Sequence, residues 1–188
     1  MTDLQDVPHG LMAREAYETA AQHGFHSKCT PNEVYQALVI SEIYEAMDAD
    51  RKGRMAPKVD KDMSVSTDAD FRDWYKSYVS GTLQDELADI VIRLYDYAEN
   101  IGVSLGASVN RHNYGVSHVI DRESFPEFAL ELTRYIVNSI GYEPQVMIQF
   151  VVNTVYLYAS RHGFDLYVYV LLKMRYNRLR PYRHNAKY

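Results

Sequence analysis

Glu86, Asp89, Arg93 and Asp96 recur every three or four residues in TLQDELADIVIRLYDYAE (Thr82–Glu99), and Leu83, Leu87, Val91, Leu94 and Ala98 do the same beside them. Two stripes at that period describe one helix with an apolar face and a charged face. Residues three and four apart on a helix have Cβ atoms about 5–6 Å from each other. Glu86 and Asp89 can therefore present two carboxylates to one point. A second pair, Glu42 and Glu45, stands in LVISEIYEAMDADRKG and continues the face begun by Val34 and Leu38, which is expected to be buried.

Four carboxylates converging without cations repel strongly: two unit charges ~4 Å apart cost about 4 kcal/mol at an effective dielectric of 20. Such a cluster takes up protons or binds metal. Oxygen ligands with no Cys or His suit magnesium, which keeps waters and recruits phosphates to complete its octahedron. A single acidic pair reads more simply as a solvated helix face. Two pairs on two helices, one of them prolonging a core stripe, favour a site.

The rest of the chain has the same helical spacing. A first helix is expected over Leu11 to His23, ended by Gly24, and Thr30-Pro31-Asn32-Glu33 reads as a capping-box start for the helix carrying Glu42 and Glu45. Lys52 to Thr67 reads as an exposed loop, and Asp68 to Tyr78 as a short helix holding Phe71, Trp74 and Tyr75. Thr82 and Asp85 open the central helix, which Gly102 closes. Ser104 to His118 is the loosest stretch. Helices resume over Pro126 to Ile140 and Pro144 to His162, and Asp165 caps a last one that ends before Pro181. No convincing alternating strand pair occurs. The expectation is a single all-α domain over residues 1–188, a bundle of six to seven helices.

Composition bounds the setting. One cysteine, Cys29, excludes an internal disulfide framework and fits a reducing compartment. The start MTDLQDVPHG lacks a signal pattern and no apolar run approaches the ~18 residues of a membrane span, so a cytoplasmic location and no membrane partner are expected. The last sixteen residues, KMRYNRLRPYRHNAKY, hold six Lys/Arg and no acid, which leaves 14 Lys/Arg against 25 Asp/Glu in the remainder. An acidic body with a basic tail over 173–188 could embrace metal and polyanion together; a frayed basic terminus reads equally well.

A shift of 61 residues aligns YAENIGVSL (97–105) with YASRHGFDL (158–166) and places Glu86, Asp89 and Asp96 on Met147, Phe150 and Leu157. Either a second copy has lost its acids or two amphipathic helices share a period.

Three segments together, SEIYEAMDADRKG with E-x-x-E, GTLQDELADIVIRLYDYA with E-x-x-D, and the ending K-x-x-Y-N-x-x-R-P-Y-x-H-x-x-K, resemble the MazG-like, all-α nucleoside triphosphate pyrophosphohydrolases, the group of dimeric dUTPases and dCTP pyrophosphatases. The resemblance runs from about Phe25 to Tyr188. It implies Glu42, Glu45, Glu86 and Asp89 as magnesium ligands, with manganese able to substitute, and Glu45 as the residue that orients or deprotonates water. It implies Lys173, Tyr176, Asn177 and Arg180 at the triphosphate, with Tyr182, His184 and Lys187 as helpers. Phe25, His26 or Trp74 would stack on the base, although aromatic residues at helical spacing are more often core. The implied partner is a nucleoside triphosphate rather than a stable nucleic acid, and the implied assembly is a homo-oligomer, dimer or tetramer. The spacer between Glu45 and Glu86 is longer than in compact members, which suggests an added lid or interface, and His184-Asn185 stands where His-Gly is expected.

The competing reading is a non-catalytic helical protein that binds nucleotide or RNA through interleaved Arg and Tyr in the tail; it leaves both acidic pairs unexplained. A di-iron bundle would need E-x-x-H pairs, and neither these nor a His-Asp dipeptide occur.

Overall fold

A computed structural model describes residues 2–26, 30–59, 67–105, 119 and 124–182. Among them the chain forms seven α-helices and no strand, an all-α bundle: α1 His9–Gln22, α2 Asn32–Arg51, α3 Asp68–Tyr78, α4 Leu83–Asn100, α5 Phe125–Asn138, α6 Pro144–Arg161 and α7 Leu166–Arg178. A single 3-10 turn, Leu4–Asp6, precedes them. No helix of the described residues is long and apolar enough to cross a membrane.

The central helix of the sequence is the central helix of the bundle. α4 packs against α1, α2, α6 and α7, and thirteen of its eighteen residues are buried. A helix enclosed on so many sides cannot keep its polar face in water, so Glu86 and Asp96 are buried along with the expected stripe Leu83, Leu87, Val91, Leu94 and Ala98. The Thr82 hydroxyl accepts a hydrogen bond from Asp85 N at one end. At the other, Gly102 adopts φ +70°, a left-handed conformation that glycine takes without steric cost.

Several boundaries differ from the sequence expectation. α2 begins at Asn32 with Pro31 at the cap position and no side-chain cap, so the expected Thr30 capping box does not form. Its buried stripe is Tyr35, Val39, Glu42, Ile43, Ala46 and Ala49, whereas Val34 and Leu38 are only half-buried. The apolar period is rotated by one position, which draws Glu42 inward and leaves Glu45 exposed. α5 starts one residue before Pro126, on a capping box between Ser124 and Glu127. Asp165 precedes α7 without capping it; its carboxylate instead accepts from Thr2 N at 2.7 Å and Thr2 Oγ1 at 2.8 Å. Residues 54–59 have mostly exposed side chains, but their backbone is pinned: Leu83 N donates to Arg54 O, Ala56 N to Gln84 Oε1 and Tyr169 Oη to Pro57 O, all at 2.9 Å. Most of the loose stretch Ser104 to His118 lies outside the described residues.

Candidate functional site

Glu86 and Asp89 sit one turn apart on α4, facing Glu42 of α2. One carboxylate oxygen from each of Glu42, Glu86 and Asp89 lies within 4.8 Å of the others. The pairing read from spacing is thus realised in space for three of the four expected ligands. Glu45 lines the same cavity but is exposed, at its rim.

Around these oxygens runs a cavity of about 420 Å³. α4 supplies its acidic floor, Asp85, Glu86, Asp89 and Asp96. α1 contributes a wall of small residues, Ala16, Thr19 and Ala20, and α7 contributes Lys173, Tyr176 and Asn177, with Arg180 just beyond its end. A cavity of this size, with a few polar groups converging on one side, is the usual form of a small-molecule site.

The charges are individually accounted for. Arg93 Nε donates to Glu42 Oε1 at 3.0 Å. Lys173, only 6% exposed, bridges Asp85 Oδ1 at 2.9 Å and Asp89 Oδ2 at 2.5 Å. Burial alone would favour a neutral Lys173, but Asp89 and Asp85 outweigh it and raise its pKa. Burial likewise opposes the charge on Arg93, and Glu42 and Asp89 reverse the effect, so it too is raised. Asp89 is pushed up to about 6, by burial and then by Asp85 and Glu42, with Lys173 pulling the other way. Glu86 is pushed up to about 8, first by burial and then by repulsion from Asp89 and Asp85. Among the described residues its carboxylate has no hydrogen-bond donor and no ion-pair partner. Three crowded carboxylates, one of them holding a proton near neutrality, suit a divalent cation: hard oxygen donors, no competing Cys or His, and a group that ionises fully only when positive charge arrives.

Asp85 is the residue that sequence reasoning missed, having cast it only as a helix opener. Its carboxylate accepts from Tyr75 Oη, from Lys173 Nζ, and from Gly81 N at 2.8 Å. Tyr75 in turn stacks on Tyr176 at 4.4 Å between ring centroids. The long spacer thus carries α3, which buttresses α4 and α7. The Asp85/Asp89 spacing of four was a visible signal, since it places both carboxylates on one face; nothing in the sequence pointed from Tyr75 to Asp85.

The remaining expected residues divide. Tyr176, Asn177, Arg180 and Phe25 line the cavity. Asn177 Oδ1 is shut off from solvent without a hydrogen-bond partner, and the Arg180 guanidinium makes no ion pair among the described residues. Lys173, expected at the phosphates, is instead committed to Asp85 and Asp89. Trp74 is not among the residues that line this cavity; its ring lies beside those of Phe71 and Tyr78 on its own helix. His26 stands behind the wall, its Nε2 2.6 Å from Asp96 Oδ1 and its ring stacked on Tyr17. Tyr182 is largely exposed and covers Gly24, where an added Cβ would collide with the Tyr182 ring. His184 and Lys187 lie outside the described residues.

Compared with known protein families, with curated proteins and with solved structures, the chain matches none.

Proposed function

We propose that the protein is a magnesium-dependent nucleoside triphosphate pyrophosphohydrolase of the MazG-like kind, cleaving between the α- and β-phosphates to release a nucleoside monophosphate and pyrophosphate. The observation that carries this reading is the convergence of Glu42, Glu86 and Asp89 in a cavity that Asn177 and Arg180 also line. Carboxylates alone repel a triphosphate, and cations alone bind it without activating water. Both in one cavity match the two halves of a metal–triphosphate complex.

Magnesium bound by Glu42, Glu86 and Asp89, with manganese able to substitute, would neutralise phosphate oxygens and lower the pKa of a bound water. The chain's own groups perform the remaining tasks. Glu45, exposed at the rim, accepts the proton of the attacking water. Arg180 balances the charge gathering on the departing pyrophosphate. Lys173 acts as a positioning residue, fixing Asp85 and Asp89 so that the floor keeps its shape. The small side chains of Ala16, Thr19 and Ala20 leave room for the nucleoside.

The alternative of polyanion binding through the basic tail draws less support. Arg175 pairs with Asp68, Arg178 with Glu15, and Lys173 with two acids, so half of the six tail cations are engaged within the chain.

The test is product analysis on a panel of ribo- and deoxyribonucleoside triphosphates, with and without magnesium, for wild type and for Asp89→Asn and Glu45→Gln. Monophosphate plus pyrophosphate is expected, with loss of at least about 100-fold in each variant, the scale that a positioned acid–base group contributes, and with far-UV circular dichroism unchanged. Diphosphate plus phosphate would move the attack to the γ-phosphorus. Full activity in both variants would refute the site.

A further inference from the structure

Asp96 lies in the cavity floor seven residues beyond Asp89 on the same helix. At 1.5 Å per residue that is about 10 Å along α4, a displacement on the scale of a nucleoside. Its Oδ1 is held by His26 Nε2 at 2.6 Å. The imidazole is fixed in turn by stacking on Tyr17, with centroids 4.4 Å apart, and by Tyr35 Oη, 3.4 Å from Nδ1. Oδ2 has no hydrogen-bond partner among the described residues. Asp96 is thus a half-satisfied acceptor, only 8% exposed, oriented from behind by a residue that does not itself line the cavity. It is set apart from the three metal-facing oxygens. The same cavity is also lined by the uncharged side chains of Ala16, Thr19, Ala20, Phe25 and Ile92.

We infer that Asp96, oriented by His26, accepts a hydrogen bond from the nucleoside end of the ligand and so helps to set which nucleotide binds. The inference rests on the nucleotide reading above and deepens it. An ionised carboxylate is an acceptor only, and the donors a nucleoside offers are its sugar hydroxyls and the N–H groups of its base. A buried acceptor left unpaired penalises a ligand that lacks the matching donor, and this is how polar pockets discriminate most strongly.

The test is calorimetric titration in magnesium buffer of wild type, Asp96→Asn and His26→Ala with nucleoside monophosphates and with inorganic triphosphate, which has no nucleoside. In Asp96→Asn the affinity for the preferred monophosphate is expected to fall roughly tenfold or more relative to that for inorganic triphosphate, the scale of one hydrogen bond to a charged group. His26→Ala is expected to shift the same ratio in the same direction. Monophosphates lacking the 2′- or 3′-hydroxyl separate a sugar donor from a base donor: if they bind wild type as well as their parents, the donor is on the base.

An unchanged ratio in Asp96→Asn overturns the inference, as does equal weakening of both ligands, which marks a packing role. If triphosphates are hydrolysed with unaltered base and sugar preference in that variant, the inference falls and the hydrolase stands. Selective loss of monophosphate binding in a protein that turns over no triphosphate does the reverse. Absence of any nucleotide binding by wild type removes both.

Discussion

Removing Glu86 as a titrating group, by Glu86→Gln, is expected to take away its share of the pH dependence of stability that the acidic floor builds in, leaving that of Asp89, which is pushed up to about 6. In the metal-free protein Glu86 keeps its proton up to about pH 8, against an ordinary value of 4.5, because burial and the neighbouring Asp89 and Asp85 oppose its charge. Between those two pH values the native state binds more protons than the unfolded state. Stability must therefore fall as pH rises through the window. The contribution of the protonated form is complete below pH 4.5 and gone above about 8. A shift of this size corresponds to about 5 kcal/mol at 1.36 kcal/mol per unit. The cavity admits water, and screening brings the realistic figure to about 2–3 kcal/mol.

His9 acts in the opposite sense, since burial lowers its pKa and the unfolded state takes up the proton first. The informative quantity is therefore the difference between wild type and Glu86→Gln. Urea denaturation followed by far-UV circular dichroism, in chelator at several pH values from 5 to 8, should show wild type losing about 2–3 kcal/mol relative to the variant across that range. Saturating magnesium should reverse the trend in wild type, because ligands must deprotonate to bind. Parallel profiles for the two proteins in chelator would refute the reasoning.

Lys173→Met should destabilise the protein by about 3–5 kcal/mol, since it strands Asp85 and Asp89 without their buried counter-ion; a loss below about 1 kcal/mol by urea titration would mean that the carboxylates relax or protonate freely. Arg180→Ala should leave the urea midpoint within experimental error and raise KM for triphosphates or lower kcat; wild-type kinetics in that variant would place Arg180 outside the site.

The fold was legible because its signals are local. Thr82, the two stripes and Gly102 mark the central helix from end to end, and the span Asp68–Tyr78 of α3 was read around Phe71, Trp74 and Tyr75, without its Thr67 cap. The floor of the site was legible for the same reason, since E-x-x-D is a statement about a single helix. What escaped were relations between helices. The register of α2 could be read on either of two adjacent stripes, and only packing on α4 chooses the one that buries Glu42 and exposes Glu45. Lys173 looks like any phosphate-facing lysine until α7 is laid beside Asp85. Whether Trp74 lines the cavity depends on how α3 is set against α4 and α7, which one helix's spacing does not carry.

The faint repeat also has a structural counterpart. α4 and α6 span 83–100 and 144–161, offset by the same 61 residues, and Tyr95 and Tyr156, equivalent under that shift, place their hydroxyls 3.3 Å apart. Where α4 carries Glu86, Asp89 and Arg93, α6 carries Met147, Phe150 and Thr154, all buried. One helix holds the groups that resist being packed together, and its counterpart serves as ballast. Equivalent buried positions thus carry ionisable groups in α4 and uncharged ones in α6, so the pH response of the bundle is built into its central helix and not into the counterpart.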